Sequence, residues 1–344
     1  MREDKYAMNE KRGEDSARRG GRRKFWGAVL RWGVGLGVLA LILLNVSLKD
    51  CARHLTNLVW AFVFANLALK IVLRCLAALK WHLIVRIIDP AARYGYSLVA
   101  YFVGTTIGSV LPVFGTDLTV MYSYYRQSGK SSGAVSTVLV DRVIALGLIV
   151  LLANGILVWN IGRFSEMPVV AAMGGAALAG FVALATGGGI VLWRPQLLRK
   201  VWLPRKLKQF LGRVREDLLR CRKEGMRVLV WNAALSLVTQ CLRIASMYTL
   251  ALAVGLDVAL VDIAVISPLM FLLAMLPIPA ASIGWEQGVF VVMLGTIGIA
   301  SEAALAMSIL NRVLIMISLA PGIFFLLMNV GLERSAKQQE NPAG

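Results

Sequence analysis

Twice in this chain, a Leu-Pro break inside an apolar run is followed thirty-odd residues later by an arginine inside the next apolar run. The first copy joins Leu111-Pro112 to Asp141-Arg142, and the second joins Leu276-Pro277 to Asn311-Arg312. Proline lacks a backbone donor and clashes with the preceding turn, so an apolar helix stops or kinks there. In lipid, such a break survives only where protein or a water-filled cavity shields the freed backbone groups. Duplicated, interrupted apolar segments point to a transporter-like site near the bilayer midplane. An arginine at that depth is costly enough to suggest function.

Composition agrees with a membrane chain. Hydrophobic residues make up 58% of the sequence and the mean hydropathy is +0.70, against roughly 45–50% apolar residues in soluble domains. The net charge of +18 does not call for nucleic acid, because the cations cluster in short polar segments beside apolar runs. That placement follows from the positive-inside bias and from attraction to anionic headgroups. Cys51, Cys75, Cys221 and Cys241 form no Cys-x-x-Cys pair, and His54 and His82 sit in no metal-binding pattern. No metal or other cofactor is expected. Ala281-Ser282-Ile283-Gly284 is like an intramembrane protease nucleophile string, but no histidine lies in a partner helix.

Residues 1–24 carry nine Lys or Arg against five acids and read as a disordered cytoplasmic tail. A single membrane domain is expected over 25–331, followed by a second cytoplasmic tail at 332–344. Within it, spans are expected at about 25–46, 57–80, 132–158, 169–193, 228–254 and 302–331. The broken segments lie at about 95–130 and 264–299, so the repeat units are about 95–158 and 264–331. Between 194 and 227, twelve Lys or Arg stand against three acids. Leu207, Phe210, Leu211, Val214 and Leu218 recur there at helical spacing, as in a basic amphipathic helix on the inner membrane surface.

With the N-terminus inside, the inner segments 1–24, 80–93, 126–130, 194–227 and 332–344 hold 28 Lys or Arg. The outer loops at 47–56, 159–168 and 255–263 hold only Lys49, Arg53 and Arg163. This asymmetry requires each broken segment to enter and leave on one side, as a re-entrant hairpin. The first then enters from the cytoplasm and the second from outside, an inverted repeat of the kind transporters use. The expected fold is all-α: a polytopic integral membrane helix bundle with two inverted re-entrant helical hairpins.

Five cations fall inside apolar segments: Lys70, Arg74, Arg142, Arg243 and Arg312. Lys70 and Arg74 are four residues apart and share a helix face. Asp117 and Glu286 lie just beyond the two Leu-Pro breaks, Asp141 and Asn311 precede the two arginines, and Glu302 lies near a helix end. Charges at this depth cost from about 3 to over 10 kcal/mol unless paired or hydrated. Arg142 and Arg312 are each expected to find Asp117 or Glu286, with the combination left open. The surplus is positive, which suits an anionic ligand, and the planar fork of Arg suits phosphate. Gly104, Gly108, Gly115, Gly284 and Gly288 flank the breaks, for close helix packing or for backbone contact with a phosphate.

These motifs, namely Leu111-Pro112 with Gly115 and Asp117, Val140-Asp141-Arg142, Leu276-Pro277 with Gly284-Trp285-Glu286, and Asn311-Arg312, resemble the lysylphosphatidylglycerol synthase transmembrane region, or flippase-like membrane proteins. The resemblance covers about residues 30–330. It implies a multi-pass protein of the bacterial inner membrane that moves, or helps move, lipids between leaflets; the charge count above puts both termini on the cytoplasmic side. Known members fuse this region to a cytosolic aminoacyl-transferase domain. None follows the last apolar run here, so synthase activity is not expected and the chain is read as a non-enzyme. The family pattern places an Arg three residues beyond the acid after the first break, where this chain has Val120. The expected function is translocation of an anionic lipid headgroup held by Arg142, Arg312, Asp117, Glu286, Lys70, Arg74 and Arg243. The alternative is a scaffold or regulatory subunit for a lipid- or glycan-modifying membrane enzyme. The partners expected are membrane lipids, with oligomeric state open.

Overall fold

A computed structural model of the chain describes residues 46–88, 90–109, 115–128, 134–164, 167–193, 225–274 and 284–328, together with Leu44. Both Leu-Pro tips, most of the first expected span, the basic segment from 194 to 224 and both tails lie outside the described residues. Every regular element among the described residues is a helix. In chain order these are α1 (Leu48–Thr56), α2 (Trp60–Ile88), α3 (Tyr94–Gly108), α4 (Gly115–Ser128), α5 (Ala134–Trp159), α6 (Ile161–Phe164), α7 (Pro168–Trp193), α8 (Met226–Ala253), α9 (Leu260–Ala274), α10 (Trp285–Gly295), α11 (Ser301–Ile317) and α12 (Ala320–Leu327).

Among the described residues, four stretches are long and apolar enough to cross a bilayer: Trp60–Ile87, Val140–Trp159, Met226–Ala253 and Ser301–Leu327. The protein is therefore a helical membrane bundle. Its outer surface is apolar, as lipid contact demands, with Leu151 at 57% and Val230 at 62% exposure. Trp60 and Trp159 stand exposed at the ends of α2 and α5, where indole rings favour the membrane interface.

Helices α2 and α8 pack along much of their length and run antiparallel. Two buried asparagines make the pairing reciprocal. Asn66 of α2 donates to the carbonyl of Ser246 on α8, and Asn232 of α8 donates to the carbonyl of Lys80 on α2 at 3.1 Å. Each acceptor lies fourteen residues beyond the other asparagine, the relation required by a two-fold axis crossing both helices at their middle. The same correspondence sets Leu73 of α2 opposite Thr239 of α8. Both asparagines are fully buried, so each amide nitrogen, withheld from water, takes its partners within the protein.

Each long helix leads into a helical hairpin. In the first, α3 and α4 pack antiparallel, and Thr119 Oγ1 donates to the Gly104 carbonyl at 2.5 Å. A Cβ on Gly104 would overlap the Val120 backbone, so this glycine sets the helix–helix distance. In the second, α9 and α10 are joined where Trp285 Nε1 donates to the Leu273 carbonyl at 3.1 Å. Gly284, at φ 98°, takes the left-handed turn into α10, and its N–H donates to Gln287 Oε1 at 2.8 Å. The main core joins α8 to α11, around Ile263, Ile266, Met293, Leu305 and Met307. A smaller cluster of Trp81, Val85, Ala100 and Val120 lies beside the first hairpin.

The structure alters the expected boundaries in three places. α2 continues to Ile88, because the sequence stays apolar past Lys80, so Lys80 and Arg86 are helical rather than part of a basic turn. The outer loop expected at 47–56 is instead α1, with Ser47 Oγ accepting from the Asp50 N–H and Asp50 paired with Arg53 at 2.9 Å. The last expected span is interrupted at Ser318-Leu319, ahead of Pro321 near the start of α12.

Candidate functional site

The helices bring the intramembrane charges into two clusters, one for each repeat. In the first, Asp117 lies in the first turn of α4, where the helix dipole favours a carboxylate. Arg142, eight residues into α5, holds it by two bonds, Nε to Oδ2 at 3.0 Å and Nη2 to Oδ1 at 2.5 Å. The neighbouring Asp141 receives Lys80 of α2 at 3.3 Å and Asn232 Nδ2 of α8 at 3.0 Å. Three helices, α2, α4 and α8, therefore converge on two adjacent residues of α5.

The second cluster repeats the plan. Glu286 lies in the first turn of α10. Arg312 of α11 pairs with its Oε2 at 3.0 Å, and Asn311 Nδ2 donates to its Oε1 at 3.0 Å. Lys70 of α2 donates to Asn311 Oδ1 at 2.7 Å. In both halves the arginine binds the acid of its own hairpin, and the residue before the arginine takes a lysine from α2. The chemical difference is that repeat one has a carboxylate at Asp141 where repeat two has the neutral Asn311.

Two of the expected site residues lie outside these pairs. Arg74 Nε donates to Ser318 Oγ at 3.0 Å, at the break between α11 and α12. Lys70 and Arg74 thus do share a face, and both reach towards α11 instead of the membrane surface. Arg243 of α8 stacks over the Phe271 ring of α9, 4.1 Å from its centroid. No carboxylate lies within ion-pair distance of it among the described residues.

A cavity with about 70 Å³ of space open to water lies against the first cluster. Asp117, Asp141, Arg142, Lys80 and Arg243 line it, as do Leu73 and Thr239 at the middle of α2 and α8. The cavity therefore sits beside the two-fold axis that relates α2 to α8. Lys80 is the charged residue that sequence reasoning placed wrongly, among the inner-loop cations. Its side chain is only 6% exposed, and the usable signal was the apolar run that continues on both sides of it. Gly104 serves helix packing, the plainer of its two expected roles.

Comparison with known proteins identifies the membrane domain. The family model for the lysylphosphatidylglycerol synthase TM region matches residues 28–322. Two proteins of Methanothermobacter thermautotrophicus (strain Delta H), each named UPF0104 membrane protein, are similar along most of their length. One is 23% identical over 303 residues, covering 82% of this chain and 89% of the relative. The other is 25% identical over 306 residues, covering 80% and 85%. No solved structure matches. With the family model spanning most of the chain and the polytopic helical bundle beneath it, this protein belongs to the lysylphosphatidylglycerol synthase transmembrane region family.

Proposed function

We propose that this membrane protein binds the anionic headgroup of a lipid and moves it between leaflets without covalent chemistry. The reading is carried by one observation: two charge clusters of the same plan, one in each repeat, with an excess of cations over acids. At the first, Lys80, Arg142 and Arg243 face Asp117 and Asp141; at the second, Lys70, Arg74 and Arg312 face Glu286. Arg142 and Arg312 serve as phosphate anchors, and Asp117 and Glu286 hold them when the site is empty. Alternating exposure of sites at a repeat axis is how inverted-repeat transporters pass a substrate.

The hairpins are re-entrant in this proposal. Helices of 15 and 14 residues in the first are about 22 Å and 21 Å long, short of a roughly 30 Å hydrocarbon core. The charge bias then puts both termini on the cytoplasmic side, in the inner membrane that the family resemblance implies. The two-bond Arg142–Asp117 contact favours a second reading. A non-transporting scaffold for a lipid- or glycan-modifying enzyme needs its buried charges closed in just this way.

Translocation of labelled anionic and zwitterionic lipid between the leaflets of reconstituted vesicles separates the two. Arg142→Lys keeps the charge and loses the fork, so a phosphate anchor predicts impaired transport in a protein that still inserts. Arg142→Gln with Asp117→Asn removes the pair together, which is near neutral for stability when a pair is only structural. Full translocation by that double variant would remove Arg142 as an anchor. Absence of translocation in the wild-type protein would favour the scaffold.

A further inference from the structure

Three polar side chains line the cavity beside the repeat axis without any hydrogen bond among the described residues: the Arg243 guanidinium, the Gln240 carboxamide and the Tyr101 hydroxyl. Gln240 is only 4% exposed, so its amide is withheld from bulk water and opens onto the cavity. Buried polar groups are paired in the great majority of cases. Three unused groups around one cavity indicate a partner that arrives from outside. Resting on the headgroup-binding reading, we infer that Arg243, Gln240 and Tyr101 form a binding site for a phosphate oxyanion, and that Arg243 is its first anchoring cation.

Charge and geometry both select an anion. Lys80, Arg142 and Arg243 line the cavity with Asp117 and Asp141, leaving one positive charge without a counter-charge. Arg142 has its Nε and Nη2 donors engaged by Asp117, and Lys80 is engaged by Asp141. Arg243 is the cation left over. Its guanidinium carbon lies 4.1 Å over the Phe271 ring, a contact that engages no N–H in a hydrogen bond, so its fork can still offer two parallel bonds to oxygen. The Gln240 amide and the Tyr101 hydroxyl add donors of a kind that suits phosphate oxygens.

The cavity also limits how much of a lipid it admits. Its open space of about 70 Å³ corresponds to roughly five waters by the same measure. That admits the oxygens of one phosphate group and leaves acyl chains outside in lipid. By the correspondence that relates Asn66 to Asn232, Arg243 and Gln240 match Ala77 and Arg74 of α2. The α8 part of the site therefore has no equivalent on α2, and the cavity has a single such anchor instead of a symmetric pair.

The test is the thermal stability of the purified full-length protein, in detergent with inorganic phosphate and in nanodiscs of phosphatidylglycerol or phosphatidylcholine. A shift with phosphatidylglycerol alone identifies a lipid headgroup; a shift with inorganic phosphate alone identifies the free ion; both are oxyanion binding at this site if Arg243→Gln weakens them about tenfold or more. Gln240→Leu and Tyr101→Phe are expected to weaken them less. Without ligand, Arg243→Gln should leave stability unchanged or raised, since it removes a charge that no carboxylate balances among the described residues, at the loss of only its contact with the Phe271 ring. A residue with a structural role would lower it. No shift with any ligand, or undiminished shifts in Arg243→Gln, would overturn the site. Binding with no translocation in vesicles would instead remove the transport reading and leave this one standing.

Discussion

Lys70 and Lys80 leave the same helix ten residues apart, and each is bound by the residue before an arginine in a different repeat. Lys70 meets Asn311 at 2.7 Å and Lys80 meets Asp141 at 3.3 Å. At 1.5 Å per residue they stand about 15 Å apart along α2, so one helix ties both charge clusters together. Their partners differ in a way that fixes the outcome of mutation. Lys80→Met leaves the Asp141 carboxylate within the bundle with Asn232 as its remaining partner, a loss of about 3–5 kcal/mol. Lys70→Met leaves a neutral amide acceptor unfilled, which costs about 1–2 kcal/mol. Asp141→Asn, which copies the second repeat, should restore most of the stability lost in Lys80→Met and none of that lost in Lys70→Met. Thermal unfolding in detergent reads all four variants. Equal losses at the two lysines would show that the clusters do not differ in this way.

Gly104 provides a second test, on packing. Its Cβ position is occupied by the backbone of Val120 on α4, and backbone cannot rotate away as a side chain can. Gly104→Ala should therefore push the hairpin apart and destabilise by about 1–3 kcal/mol. Gly95, also in α3, has open space at its Cβ, so Gly95→Ala should be neutral or slightly stabilising through helix propensity. If both substitutions behave alike, hairpin packing does not depend on the absence of a side chain at Gly104.

Much of this arrangement could be read before any coordinates. Arg142, Arg312, Asp117 and Glu286 stand out because charge inside an apolar run is rare, and that signal needs no knowledge of neighbours. The pairing was not legible, since both acids occupy the same place in their repeats and either arginine fits either one. Lys80 was misplaced because it is followed by His82 and Arg86, which look like the start of a loop. Its burial depends on α2 running on to Ile88 and on Asp141 arriving from α5. Asn66 and Asn232 passed unnoticed because a neutral residue in an apolar helix carries little signal alone. Their shared position, twenty-eight residues before Tyr94 and Leu260, was the pattern that linked them. Arg243 stands out in sequence as a cation in an apolar run, but that no carboxylate meets it among the described residues follows from which side chains α5 and α9 present, and only the packed structure gives that.

The proposed inversion of the two hairpins makes a topological prediction that the helix geometry sharpens. Antiparallel α3 and α4 place Tyr94 and Ser128 at one end of the first hairpin, and α9 and α10 place Leu260 and Gly295 at one end of the second. The antiparallel α2 and α8 that precede them enter from opposite sides, so the two hairpin mouths should face opposite sides of the membrane. The charge bias puts the first mouth with the 194–227 segment and the second with Asp257. Single cysteines at Tyr94, Ser128, Leu260 and Gly295, in a background with the four native cysteines replaced, can be labelled with an impermeant maleimide in oriented vesicles. The expected result is that Tyr94→Cys and Ser128→Cys react from the cytoplasmic side, and Leu260→Cys and Gly295→Cys from the other. If Tyr94→Cys and Ser128→Cys react from opposite sides, the first broken segment crosses the membrane once. The excess of inner over outer cations then no longer orients the chain, and the two charge clusters lose the inverted relation on which the transport reading depends.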